Sequence, residues 1–224
     1  MIPWIHLDTA KVPGGDELRL MKRGDEFSIM LGANELMNSR LSGSEEALAN
    51  LSCAAMGDRP RAQMLIGGLG MGFTLRAALS ELGPHARIVV AELVPGVVAW
   101  ARGPMAEVFQ DSLADPRVSI READVGRVIR SARSTYDAIL LDVDNGPEGL
   151  TRKGNDALYD LDGLRAARTA LTPGGVLAVW ASSANRMFTQ RLGRAGFAVE
   201  EMVVRANGKR SGARHVIWIA TRKS

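Results

Sequence analysis

Residues 62–82, AQMLIGGLGMGFTLRAALSEL, decide how the rest of the chain is read. Gln63 to Ile66 has the length and apolar composition of a buried strand, while Phe73, Ala77, Ala78 and Leu82 recur near the helical period. Between them lie Gly67, Gly68, Gly70 and Gly72, four glycines within six residues. Residues without Cβ atoms permit left-handed turns and let a ligand approach the backbone. Strand, glycine turn and helix N-terminus together predict a nucleoside or phosphate site.

Working outward, strands and helices alternate. Arg87 to Leu93, Val118 to Ala123, Tyr136 to Val143 and Val176 to Ala181 read as further strands. Val97 to Arg102, Gly126 to Ala132 and Leu161 to Leu171 read as helices. The unbroken apolar run of Tyr136 to Val143 implies burial on both faces, as in a parallel sheet. A helix over Ala184 to Ala195 precedes two strands, Ala198 to Arg205 and His215 to Thr221, whose connection is too short for a helical crossover, so they pair antiparallel. Upstream, Ile5 to Val12, Glu17 to Lys22 and Glu26 to Leu31 read as short strands; Asn38 to Ser44 reads as a loop, and Ser44-Glu45-Glu46 opens a helix.

The expected fold is therefore α/β: a Rossmann-like seven-stranded sheet of the class I methyltransferase type with a terminal antiparallel hairpin. The division is residues 1–40 as a small N-terminal β appendage and 41–224 as a domain binding an adenosyl sulfonium. A dinucleotide fingerprint, G-x-G-x-x-G, fits poorly: counted from Gly68 its third glycine is Phe73, and counted from Gly70 it is Leu75.

Composition narrows the rest. A chain of 224 residues is long enough to bury roughly 70–75% of its unfolded surface. The single cysteine, Cys53, forms no internal disulfide, and no N-terminal apolar run resembles a signal peptide or membrane span, so the expected location is cytoplasmic with no membrane partner. Three scattered histidines suggest no metal. The net charge of +3 permits an anionic partner. The basic set Arg205, Lys209, Arg210, Arg214 and Arg222 raises nucleic-acid binding as a reading, but no aromatic is interleaved with it and a solvated hairpin tip accounts for it better.

Acids at strand ends supply the candidate site. Glu92 closes its strand 20 residues beyond Gly72, a position from which a carboxylate accepts both hydroxyls of a ribose held over the glycine turn. Asp124 can accept from an adenine amino group, cap the following helix, or do both. Asp142 and Asp144, in LLDVDNGPEGL, face the same crevice; two carboxylates there would attract a cationic amine, and one can take the proton that leaves as nitrogen attacks. An Asx-type turn is the competing role for these two acids.

The order IGGLGMGFTLRAAL, IVVAEL, DPRVSIREAD, YDAILLDVDNGPEGL, ALYDLDGLRAARTALTPGGVLAV resembles the spermidine synthase (aminopropyltransferase) family over Ser44 to Ala181. The resemblance implies a methyltransferase-like fold and transfer of an aminopropyl group from decarboxylated S-adenosylmethionine to a diamine. It implies that the glycine turn and Glu92 hold the nucleoside, that Asp124 meets adenine, that Asp142 holds the aminopropyl ammonium and that Asp144 is the catalytic base. Tyr159 matches a family tyrosine that follows the catalytic loop, which implies substrate binding, with packing of a helix start as the competing role, and the N-terminal strands would serve a homodimer. Three departures accompany the match. The family's glycine loop usually carries an acid, absent from Gly67-Gly68-Leu69-Gly70-Met71-Gly72. Asp142 to Pro147 is two residues shorter than the family's D-S-x-D-P-x-G-P. Gly43-Ser44-Glu45 stands where the family has a tyrosine-histidine pair. The alternative is a methyltransferase that uses intact S-adenosylmethionine on a small-molecule or RNA acceptor, the missing loop acid leaving room for the donor's carboxylate.

Overall fold

The computed structural model describes residues 2–143, 157–207 and 212–223. Among these the strands form two sheets. The larger is built from β5 (Gln63–Gly67), β6 (Arg87–Glu92), β7 (Val118–Glu122), β8 (Tyr136–Leu141), β9 (Leu171–Ala181), β10 (Phe197–Arg205) and β11 (Arg214–Arg222), in the spatial order β10-β11-β9-β8-β5-β6-β7. Pairings among β5 to β9 are parallel; β11 runs antiparallel to both β9 and β10. The expected seven-stranded sheet with its terminal hairpin is thus present.

Every residue of β8 is buried, and alternation explains why. Met64, Ile66, Ala138, Leu140, Val176 and Ala178 join the core on one face, whereas Leu65, Ile139, Leu141, Leu177 and Val179 join the core on the other. Successive side chains of a strand point to opposite faces, so a strand covered on both sides is apolar along most of its length, and the one acid of β8, Asp137 near its start, is paired with Arg59. The first face is covered by α1 (Gly43–Met56), α2 (Phe73–Glu81) and α3 (Pro95–Arg102), and the second by α5 (Val125–Ser131), α6 (Leu161–Ala170) and α7 (Arg186–Arg194).

The smaller sheet comprises β1 (Ile5–Lys11), β2 (Glu17–Arg23), β3 (Glu26–Leu31) and β4 (Asn34–Asn38), all antiparallel. Sequence patterning does not reveal β4, because Asn and Glu disfavour strands. It forms because Gly32, at φ +56, turns the chain back so that Leu31 pairs with Asn34 and Ile29 with Met37. This sheet shares its core with α3: Leu20, Phe27 and Ile29 are buried with Val97, Val98 and Trp100. The Trp100 indole N–H donates to Asp8 Oδ2 at 2.7 Å. A second element unread in the sequence is α4 (Ala106–Phe109); its Phe109 is buried beneath the glycine turn.

Candidate active site

Chain order reverses between β5 and β8, since β6 and β7 lie to one side of β5 and β8 and β9 to the other. Ligands of open α/β sheets bind beyond the carboxyl ends of the strands at such a switch point. A cavity of ≈ 200 Å³ lies there, lined by the glycine turn, by the ends of β6, β7 and β8, by Glu45 and Trp180, and by Leu18, Ile29, Leu36 and Met37 of the N-terminal sheet.

The turn is held from both sides. Gly68 N–H donates to Ala91 O at 2.9 Å, and Asp142 N–H donates to Gly67 O at 3.1 Å. Glycine is required at two of its positions. Gly68 has φ +88, and a Cβ there would lie 2.7 Å from Asp142 O; Gly72 has φ +77, and a Cβ there would lie 2.4 Å from the Phe109 ring. Gly70 faces Met37 Sδ of the N-terminal sheet, and Gly67 is packed by Val125 and Leu141. Gly68, Gly70 and Gly72 line the cavity.

Glu92 is buried, and both of its carboxylate oxygens are engaged: Leu69 N–H donates to Oε2 and Val94 N–H to Oε1, each at 2.8 Å. Burial pushes its pKa up, opposed by these backbone donors. Each carboxylate oxygen keeps accepting capacity beyond one bond, so Glu92 can pin the turn to β6 and still face a ligand hydroxyl. Asp124 caps α5 through Arg127 N–H at 2.8 Å and also lines the cavity, so the capping role is observed and the carboxylate still faces the space where a ligand would lie.

Asp142 stands beyond β8, on the other side of the glycine turn from Glu92 and Asp124. It accepts from Thr74 Oγ1 at 3.0 Å, and the same hydroxyl lies 3.4 Å from Glu45 O. Burial first, and then the charge of Glu45, push the Asp142 carboxyl up to about 7, against the lowering effect of the Thr74 hydroxyl. Glu45 is itself raised, chiefly by burial. Ser44 donates to Glu45 Oε2 at 2.6 Å, and His215 Nδ1 sits 3.0 Å from Ser44 Oγ. His215 stacks edge-on against Trp180, with ring centroids 4.7 Å apart.

Glu45 is the residue that sequence reasoning missed. Ser44-Glu45-Glu46 signals a helix start, and only the packing of α1 beside α2 sets Glu45 over Thr74 and next to Asp142. Nothing in the local sequence links Trp180 to His215; the pairing of β11 with β9 brings them together. Tyr159 is buried, its ring contacts Phe188 edge-on, and its hydroxyl donates to Val143 O at 3.3 Å. Through Val143, which lines the cavity, it supports the wall from behind. Asp144 lies outside the described residues, as do Lys209 and Arg210. Arg205 and Arg222, from the same basic set, donate to Gly212 O and Leu171 O of the protein itself.

No family model matches the chain. It is 32% identical over 126 residues to polyamine aminopropyltransferase 1 of Streptomyces coelicolor, covering 55% of this chain and 23% of that protein. It is also 32% identical over 136 residues to polyamine aminopropyltransferase of Nitrosomonas europaea, covering 60% of this chain and 39% of that one. The crystal structure of spermidine synthase from Thermotoga maritima superposes with a TM-score of 0.77 at 17% identity, covering 97% of this chain and 72% of that one. The fold is spermidine synthase-like. The superposition carries the fold, methyltransferase-like sheet and N-terminal strands included, over nearly the whole length. The chain spans less than half the length of the curated relatives it matches. Among the described residues of this spermidine synthase-like fold, no helix is long and apolar enough to cross a membrane, and no three His, Cys, Asp or Glu side chains cluster to hold a metal.

Proposed function

We propose that the protein is an aminopropyltransferase that takes decarboxylated S-adenosylmethionine as donor and a diamine as acceptor. The observation that carries this reading is the polarity of one continuous cavity, in which the glycine turn beyond β5 separates Glu92 and Asp124, beyond β6 and β7 at one end, from the carboxyls of Asp142, beyond β8, and Glu45 at the other. The first end suits an adenosine: backbone approach at Gly68, Gly70 and Gly72, a carboxylate for ribose hydroxyls, and an acid for the adenine amine. The second suits the primary ammonium of an aminopropyl chain. Aminopropyltransferase homologues support the reading, and intact S-adenosylmethionine is the less favoured donor.

In the reaction the acceptor nitrogen attacks the propyl carbon bonded to the sulfonium. The C–N bond forms as the C–S bond breaks, sulfur keeps the electron pair, and neutral methylthioadenosine leaves. The ammonium formed loses its proton to a base, for which Asp144 is the proposed residue. Alignment of donor and acceptor in the cavity supplies roughly 7–11 kcal/mol of such a barrier, and a positioned base roughly 10²- to 10⁴-fold in rate. The N-terminal sheet is proposed to have two roles, an apolar wall over the donor and the surface of a homodimer. Ile5 and Leu7 of β1 stand exposed along it.

Mass spectrometry of purified protein with either donor and a diamine mixture tests the activity. Methylthioadenosine formed only with the decarboxylated donor and a diamine is the expected result. S-adenosylhomocysteine formed from the intact donor would replace this reading with methyl transfer.

A further inference from the structure

The chain carries a net positive formal charge, yet its cavity is lined by Asp16, Glu45, Glu92, Asp124 and Asp142 and, among the described residues, by no Lys, Arg or His. The acids are not equivalent. Glu92 is fastened to the turn by two backbone N–H groups, and Asp124 is committed to capping α5. Apart from Asp16, in the turn between β1 and β2, Glu45 and Asp142 remain, across the glycine turn from those two: the Thr74 hydroxyl lies 3.0 Å from Asp142 Oδ2 and 3.4 Å from Glu45 O, and the charge of Glu45 makes Asp142 harder to ionise. A pair of carboxyls held close without a cation is relieved when a cation enters between them. A ligand bringing its own carboxylate meets the reverse: no basic side chain in the wall to receive it and two acids repelling it.

We propose that Glu45 is the residue by which this cavity selects its donor, with Ser44 and His215 as the residues that position it. It takes the place of the acid missing from the glycine loop: with Asp142 it grips the bare ammonium of the decarboxylated donor and repels the carboxylate that the intact donor bears on the same carbon. The position of Glu45 is specified from outside the cavity. Ser44, itself buried, has one hydroxyl proton, which it gives to Glu45 Oε2; its oxygen must then accept from His215, fixing the histidine as the neutral tautomer protonated on Nδ1. Burial lowers the His215 pKa and so favours the neutral ring, which orients Glu45 without bringing a charge against it. Trp180 packs against the histidine and forms part of the same wall.

The inference rests on the aminopropyl reading, and calorimetry with three ligands separates the two. Methylthioadenosine has neither ammonium nor carboxylate, the decarboxylated donor has the ammonium alone, and intact S-adenosylmethionine has both. In Glu45→Gln, binding of the decarboxylated donor is expected to weaken roughly 10- to 100-fold, the loss typical of a charged hydrogen-bond partner. Methylthioadenosine, which also reports that the variant is folded, should bind within about twofold of wild type, so the preference over the intact donor collapses. His215→Phe, which keeps the aromatic contact with Trp180 but cannot hold Ser44, is expected to show a smaller loss in the same direction. An unchanged ratio of the two donors in Glu45→Gln, with methylthioadenosine still bound, overturns the inference and leaves aminopropyl transfer standing. A wild-type protein that prefers the intact donor overturns both.

Discussion

Replacing Asp142 with Asn should make the protein more stable at alkaline pH while disabling it. Burial and Glu45 hold the Asp142 carboxyl at about 7 against an ordinary 3.8. The folded state therefore binds this proton more tightly than the unfolded chain does. Its contribution to stability is whole below about pH 4 and is lost as pH rises through about 7. At 1.36 kcal/mol per unit the gap corresponds to on the order of 4 kcal/mol, a ceiling that water in the cavity and relaxation of the coupled pair bring toward about 2. Asn keeps the oxygen that accepts from Thr74 but carries no charge to set against Glu45. The Asp142→Asn protein at pH 8.5 should then unfold at a temperature higher than wild type by roughly 5–15 °C, taking about 2–4 °C per kcal/mol for a chain of this size. At pH 4 the two should converge. Thermal melts of both proteins across pH 4 to 9 measure the difference directly, and turnover assays should show the stabilised variant to be impaired. A variant no more stable than wild type at pH 8.5, or a difference that does not change with pH, would refute the assignment of a strained, ligand-awaiting carboxylate at this position.

Other substitutions test other parts of the site. Asp144→Asn should abolish turnover with methylthioadenosine affinity unchanged by calorimetry; retained activity would remove it as the base. Glu92→Gln sets an amide N–H₂ against a backbone N–H and should cost about 1–3 kcal/mol in urea unfolding, with at least tenfold weaker nucleoside binding. Gly72→Ala combines a left-handed φ with a Cβ driven into the Phe109 ring, and a loss of roughly 2–5 kcal/mol is expected from the same unfolding assay. Arg59→Ala, at the far end of the sheet, strips Asp137 of its ion-pair partner and leaves it to Gln63 N–H and Thr172. It should destabilise by about 2–4 kcal/mol without altering the ratio of donor affinities.

The sequence by itself determined the frame. Apolar runs of strand length, helical spacing between them and a connection too short to cross over are local properties, and they sufficed for the parallel sheet, its glycine turn and its terminal hairpin. Acids at strand ends were legible for the same reason, because a strand's end and the crevice beyond it follow from topology; Glu92, Asp124 and Asp142 all line the cavity. What the tertiary structure alone decided is which groups meet there. Glu45 stands where the resembled family has a tyrosine-histidine pair, but its local pattern signals a helix start and gives the acid no role, His215 lies 171 residues beyond Ser44, and β4 has a strand-averse composition overridden by its pairing with β3. Such contacts depend on how helices and strands distant in sequence are packed. No local pattern encodes that packing, so the residues proposed to choose the donor become visible only when the chain is folded.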